Sequence, residues 1–126
     1  MLEKYLGNCH CNAIIFEFYC KTEINLIQCN CSICIHTNYL HLIVPHENFK
    51  LLKGDNVIST YQFNSKSAKH FFCSICGIKS FYQPRSHKNS YSINYNSIKK
   101  RPKIKKIINF NGKNYEMNLG KIKNIS

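Results

Sequence analysis

The segment Cys29-Asn30-Cys31-Ser32-Ile33-Cys34 places three thiols within six residues, at C-x-C-x-x-C spacing. A thiolate is a soft ligand that selects zinc or iron–sulfur clusters, and a structural zinc normally takes four protein ligands. Three cysteines from one short segment leave room for a fourth ligand or for a reacting molecule. An open position on zinc is where metal-assisted chemistry takes place. We call this segment the cysteine triple, and it is the strongest indication of fold and function in the chain.

Two cysteine pairs flank the triple. Cys9 and Cys11 are two positions apart, so in an extended strand their side chains face the same side and can bind one metal. Cys73 and Cys76 form a C-x-x-C-G knuckle, in which Gly77 permits the positive φ that the turn requires. Joined together, the two pairs predict a closed structural zinc site that contributes about 10 kcal/mol to folding.

The spacing leaves other partitions of the cysteines open. Cys29 and Cys31 could share a zinc with the Cys73/Cys76 knuckle, and a single metal would leave several thiols free. If the triple binds its own metal, the candidates for the fourth ligand are water, a substrate thiol, or one of the side chains Cys20, His36 and His41. Cys20 is interpreted as an ordinary buried thiol. No histidine pair has a metal-ligand spacing.

Length and composition indicate a small folded protein. The 126 residues are expected to form one domain, 1–126, and the hydrophobic content of 44% argues against disorder. The sequence shows neither a signal-peptide pattern nor an apolar run of membrane-spanning length, so we expect a soluble protein without a membrane role, cytoplasmic or, in a eukaryote, nuclear. Because the cytosol keeps thiols reduced, eight cysteines then indicate metal ligands rather than disulfides.

The chain is strongly basic, with a formal net charge of +12. Such a charge is typical of proteins with a polyanionic partner such as nucleic acid. Alternatively, the positive charge reflects genome composition, because A/T-rich codons favour Lys, Asn and Ile, in which this sequence is rich. The densest basic run, 99–106, is interpreted either as a contact for an acidic partner or as a solvated strand edge that lysines protect from aggregation.

Short apolar segments separated by turn residues predict a mainly β domain without internal repeats. In 13–19, the alternation places Ile14, Phe16 and Phe18 on a buried face. Further strands are predicted at 26–28, 39–44, 57–63, 78–82, 91–95 and 107–110. Residues 1–6 are expected to be a lead-in, 35–38 a tight turn or a single helical turn, 47–52 a short helical turn, 111–112 a hairpin turn, and the chain beyond Leu119 frayed.

The cysteines also indicate a chemistry. A zinc held by three thiolates can still bind and deprotonate an incoming thiol, so thiol addition to a small electrophile is the predicted reaction. Cys29, Cys31 and Cys34 are its candidate catalytic residues. Arg85, in a polar loop beyond the second pair, is a candidate for binding a substrate carboxylate because its planar guanidinium suits bidentate contacts. The alternative for Arg85 is a solvated loop residue.

Four segments together resemble the glutathione-dependent formaldehyde-activating enzyme family. They are Gly7-Asn8-Cys9-His10-Cys11-Asn12-Ala13, the cysteine triple, Phe49-Lys50-Leu51-Leu52-Lys53-Gly54 and Phe72-Cys73-Ser74-Ile75-Cys76-Gly77. Within that family, four segments look most like the centromere protein V branch: the cysteine triple, Ile43-Val44-Pro45, Phe49 to Gly54, and Ser80-Phe81-Tyr82-Gln83-Pro84-Arg85-Ser86. The usual glycine after the first motif is Asn12 here, a residue that tolerates left-handed φ.

The resemblance implies a β-tent fold of small antiparallel sheets, with a core of about 5–98 and a basic C-terminal extension, 99–126. It implies two zinc ions. The structural ion would be held by Cys9, Cys11, Cys73 and Cys76, and the second ion by Cys29, Cys31 and Cys34. The implied activity is condensation of glutathione, the cosubstrate, with formaldehyde to S-(hydroxymethyl)glutathione, a carbon–sulfur lyase reaction. The centromere protein V branch implies instead a non-catalytic, zinc-stapled binding module that contacts nucleic acid or microtubules.

Overall fold

The computed structural model describes residues 2–63 and 67–111, and in this part the chain is mainly β. The strands are β1 (Glu3–Asn8), β2 (Ile15–Cys20), β3 (Glu23–Cys29), β4 (Leu40–Pro45), β5 (Phe49–Lys53), β6 (Ile58–Tyr61), β7 (His70–Cys73), β8 (Phe81–Tyr82), β9 (Ser90–Asn94) and β10 (Lys103–Phe110). One short helix, α1 (Ser32–Thr37), and 3₁₀ turns at His46–Asn48, Asp55–Val57 and Tyr95–Ser97 complete the described elements. The predicted mainly β fold is confirmed.

The described strands form three small sheets, with the orders β1-β2-β5, β10-β3-β4-β9-β8 and β6-β7. Neighbouring strands are antiparallel, as predicted, except that β10 runs parallel to β3. The segment expected as a basic extension therefore supplies an edge strand of the largest sheet and buries Phe110. Lys103, Lys105 and Lys106 are exposed along this edge, as expected for a solvated strand edge.

The core is aromatic and centres on β2. Ile14, Phe16 and Phe18 are at most 1% exposed, which confirms the predicted buried face. The Phe16 ring lies 5.2 Å from the ring of Phe49 and 5.3 Å from that of Phe81, so it joins the first sheet to the largest one. This packing fixes the positions of the loops that carry the cysteines.

Several local predictions are wrong. Residues 1–6 are not a lead-in, because most of them belong to β1, which pairs with β2. The helical turn predicted at 47–52 is mostly β5, since Phe49 and Leu51 pair with β2 and contact the core. The strand predicted at 78–82 is shortened to β8, and β7 was not predicted. The predictions for Gly112 and for residues beyond Leu119 lie outside the described residues.

Gly54 occupies a position that only glycine fits. Its φ is +102°, and an added Cβ would lie 2.4 Å from the carbonyl oxygen of Ala13. We expect Gly54→Ala to lower the free energy of unfolding by about 2 kcal/mol or more, because left-handed strain and a backbone clash act together. Gly77, at φ +79° with no atom within 4 Å of the added Cβ, is the matched control and should lose only about 1 kcal/mol as Gly77→Ala. Urea denaturation measures both changes, and equal losses would contradict the clash.

Candidate metal centres

The first centre is the four-cysteine cluster, formed by Cys9, Cys11, Cys73 and Cys76. The turn after β1 supplies the first two residues, and the end of β7 with its knuckle supplies the others. All four sulfurs lie within 4.8 Å of one another, and the Cys11 sulfur is 3.7 Å from those of Cys9 and Cys73. Four sulfurs bound tetrahedrally to one zinc lie about 3.8 Å apart. The two pairs thus come together, and the cluster has the composition and spacing of a closed zinc site.

Backbone N–H groups surround the sulfurs of this cluster. The Ile14 N–H donates to the Cys9 sulfur over 3.3 Å, and the Ile75 N–H donates to the Cys73 sulfur over 3.4 Å. The hydrogen bond from the Cys76 N–H lowers the pKa of Cys73. Asn12 has a φ of +64°, so it adopts the left-handed conformation that asparagine tolerates. The N–H groups of the knuckle therefore favour the thiolate form of Cys73.

The second centre is the cysteine triple. Cys29 ends β3, Cys31 immediately precedes α1, and Cys34 lies within α1. Their sulfurs lie within 4.8 Å of one another. Within the described residues, no further cysteine, histidine, aspartate or glutamate joins this group. Cys34 is buried whereas Cys29 and Cys31 are half-buried, so the triple has a side open to solvent.

The predicted candidates for the fourth ligand lie outside this group. Cys20 is buried, as predicted, and its thiol donates to the Lys21 carbonyl; burial raises its pKa to about 11. The His36 Nδ1 lies 2.6 Å from the Ser32 carbonyl oxygen on the exposed side of α1. His41 comes closest, with Nε2 3.3 Å from the Cys34 sulfur. It contacts only that sulfur, so no described side chain joins the three cysteines as a fourth member of the group.

The three thiols favour one negative charge on Cys31. Hydrogen bonds from the Cys29 and Cys34 thiols lower the pKa of Cys31. Hydrogen bonds with Cys29 and Cys31 raise the pKa of Cys34, which is also the most buried of the three. Within the triple, these contacts favour ionisation of Cys31 over that of Cys34.

Polar and aromatic side chains form an inner wall behind Cys34. The His41 Nδ1 lies 2.9 Å from the Ser92 hydroxyl and 3.3 Å from the Tyr82 hydroxyl, and the Tyr39 ring packs 4.5 Å from the imidazole. Burial lowers the pKa of His41 to about 3, so its ring is neutral. The pairing of β9 with both β4 and β8 creates this arrangement, because it places Ser92 opposite Tyr82 and one strand away from His41.

Lys79 extends this wall. Its Nζ donates to the His70 Nδ1 over 2.7 Å and lies 3.7 Å from the centre of the Tyr82 ring. Burial lowers the pKa of Lys79 to about 8, while the nearby thiolates oppose that shift. Sequence reasoning missed Lys79, His70 and Tyr82, because a single lysine, histidine or tyrosine has no spacing pattern. The available signal was His41 itself, a histidine in the middle of an apolar strand.

Arg85 is half-buried in the loop that follows β8, three positions beyond Tyr82. Neither cysteine group includes it, and its role in binding a carboxylate stays a prediction. The helix in the described part spans six residues, too few to cross a membrane.

Comparison with known proteins places the chain in a family. A family model described as glutathione-dependent formaldehyde-activating enzyme matches residues 4–113. A crystal structure of a Rhodobacter sphaeroides protein matches with a TM-score of 0.66 and 29% sequence identity, over 73% of this chain and 85% of that one. Both cysteine groups and nearly every described strand fall within the matched region. The chain belongs to the glutathione-dependent formaldehyde-activating enzyme family.

Proposed function

We propose that the protein is a zinc-dependent enzyme of the carbon–sulfur lyase class that joins a thiol, glutathione in the first instance, to formaldehyde. One observation carries the proposal: three sulfurs converge at the triple while no other side chain of the described residues completes the set. A closed four-ligand site would support only a structural role. A three-ligand site leaves the position that a reacting thiol needs.

Two zinc ions fit the residues. In the four-cysteine cluster, the ion would join the start of the chain to the knuckle after β7 and serve folding. In the triple, Cys29, Cys31 and Cys34 would hold the second ion. That ion would supply a Lewis acid that lowers the pKa of an incoming thiol and so favours the thiolate form, which is the form that adds to formaldehyde.

The protein's own residues prepare this reaction. The half-buried Cys29 and Cys31 keep one side of the triple accessible, and the buried rings of Tyr39 and Tyr82 pack against His41 behind Cys34. His41, neutral and fixed by Ser92, holds the Cys34 sulfur in place. The proposal has three further parts. Arg85 binds a carboxylate of the substrate, residues 1–126 form a single domain, and the protein is located in the cytoplasm.

Metal content tests the two-centre arrangement. Native mass spectrometry of the purified protein is expected to show two zinc ions. Cys31→Ser should lose one of them because it removes a ligand of the triple, and Cys20→Ser, a buried cysteine outside both groups, should keep two. Loss of zinc from the Cys20 variant, or retention of two ions by the Cys31 variant, would contradict the assignment.

Turnover tests the activity. With ¹³C-formaldehyde and glutathione, carbon NMR measures how fast S-(hydroxymethyl)glutathione forms or exchanges relative to the spontaneous reaction. The zinc-loaded protein should accelerate this exchange, and Cys31→Ser should return it to the spontaneous rate, while Cys20→Ser stays active. A two-zinc protein that produces no acceleration would overturn the proposed function.

A further inference from the structure

Lys79 carries a positive charge that no carboxylate of the described residues neutralises. Its ammonium has three N–H donors; one binds the His70 Nδ1, and the face of the Tyr82 ring lies beneath the nitrogen. The ion pair found in the described part, between Lys103 and Glu23, is elsewhere on the protein surface. Lys79 is half-buried, and its contact with His70 uses one of the three donors, so the ammonium is suited to bind an anion.

Contacts connect Lys79 to the cysteine triple. The Tyr82 ring lies under the ammonium and its hydroxyl lies 3.3 Å from the His41 Nδ1, while the His41 Nε2 contacts the Cys34 sulfur. The thiolates of the triple act on Lys79 directly, since their charge opposes the loss of its proton. The ammonium and the sulfurs thus belong to one electrostatic site.

The charges at this site explain why a cation is needed there. Three thiolates and one zinc(II) ion carry a net charge of −1, which repels an anionic ligand. A thiol with an acidic group would meet that repulsion as it approached the triple. The Lys79 ammonium offsets the repulsion and can form a charge-assisted hydrogen bond with the acidic group.

We propose that Lys79 determines specificity at the triple by pairing with a carboxylate of the incoming thiol, so that the site prefers thiols with an acidic group to neutral thiols of the same size. This inference rests on the proposed function, because it takes the triple as the place where the thiol binds. It concerns binding, however, and binding can be measured without turnover.

Two matched thiols test the proposal. Isothermal titration calorimetry of the zinc-loaded protein with 3-mercaptopropionate and with 3-mercapto-1-propanol compares a carboxylate with a hydroxyl on the same carbon chain. We expect the wild type to prefer the carboxylate by about tenfold, the gain of one charge-assisted hydrogen bond. Lys79→Met should abolish that preference, and Lys79→Arg should retain part of it. Lys88→Met, which removes an exposed loop lysine, should leave it unchanged.

The outcomes separate the roles of Lys79. Equal weakening of both thiols by Lys79→Met, or a wild type without a preference, would overturn the proposal and leave Lys79 as a counter-charge for the thiolates. Thermal melts and zinc content of each variant show that it is folded and loaded. If the preference follows Lys79 but the wild type does not accelerate the formaldehyde reaction, the proposed function fails while the role of Lys79 in binding stands.

Discussion

Cys73→Ser is expected to unfold the protein, whereas Cys31→Ser is expected to leave it folded. Cys73 is fully buried and contacts Cys11, 62 positions away in sequence, so the four-cysteine cluster links distant parts of the chain. A structural zinc contributes on the order of 10 kcal/mol to folding, and small domains are stable by only about 5–15 kcal/mol. Loss of one ligand from this cluster therefore removes most of the stability.

Far-UV circular dichroism during heating measures this difference. The wild type and Cys31→Ser should show cooperative melts that a strong zinc chelator abolishes, and Cys73→Ser should show no melt even with zinc present. The chelator acts on both centres, so the Cys31 variant is the control that isolates the four-cysteine cluster. A Cys73 variant that melts like the wild type would show that the core is stable without this metal.

Phe16→Ala is expected to have the second largest effect. The Phe16 ring is fully buried and packs against the rings of Phe18, Phe49 and Phe81, where two sheets meet. Its removal costs the transfer free energy of the ring and leaves a cavity, together about 3–5 kcal/mol. Because the cavity lies between the sheets, the core cannot close it without moving a strand.

Tyr19 supplies the control for Phe16. It lies on the same strand, β2, but its side chain points outward and is 41% exposed, so Tyr19→Ala should change the free energy of unfolding by well under 1 kcal/mol. Urea titrations at saturating zinc measure both variants. If both variants lost a similar free energy of unfolding, the packing of Phe16 between the two sheets would not be what stabilises the core.

The features that the sequence predicted are those encoded by local spacing. The three cysteine motifs need only a few residues each, and the alternation in β2 needs only seven, so Phe16 and Phe18 could be assigned to the core. Cys9 and Cys11 were grouped with Cys73 and Cys76 because two pairs together give one complete four-ligand site. The structure brings these four sulfurs together through strand pairing that spacing alone does not determine.

The features that were missed depend on pairing between distant segments. The segment of β5 is short, with lysines three positions apart at Lys50 and Lys53, so it lacks the alternation of a strand, and only its pairing with β2 makes it one. β10 pairs in parallel with β3, a strand far away in sequence, and no local sequence pattern specifies this pairing. Lys79 becomes part of the site because β8 and β9 place Tyr82 between it and His41.

The parallel pairing of β10 with β3 affects the order in which the two cysteine groups can form during protein synthesis. The Phe110 carbonyl accepts a hydrogen bond from the Asn30 N–H, between two cysteines of the triple, so the last described strand helps to fix that loop. On the ribosome, the four-cysteine cluster can assemble once Cys76 has emerged, whereas Phe110 follows about 34 residues later. At about 5–20 residues per second, this gap lasts roughly two to seven seconds. All four cysteines of the four-cysteine cluster therefore leave the ribosome before the strand that anchors the loop of the cysteine triple.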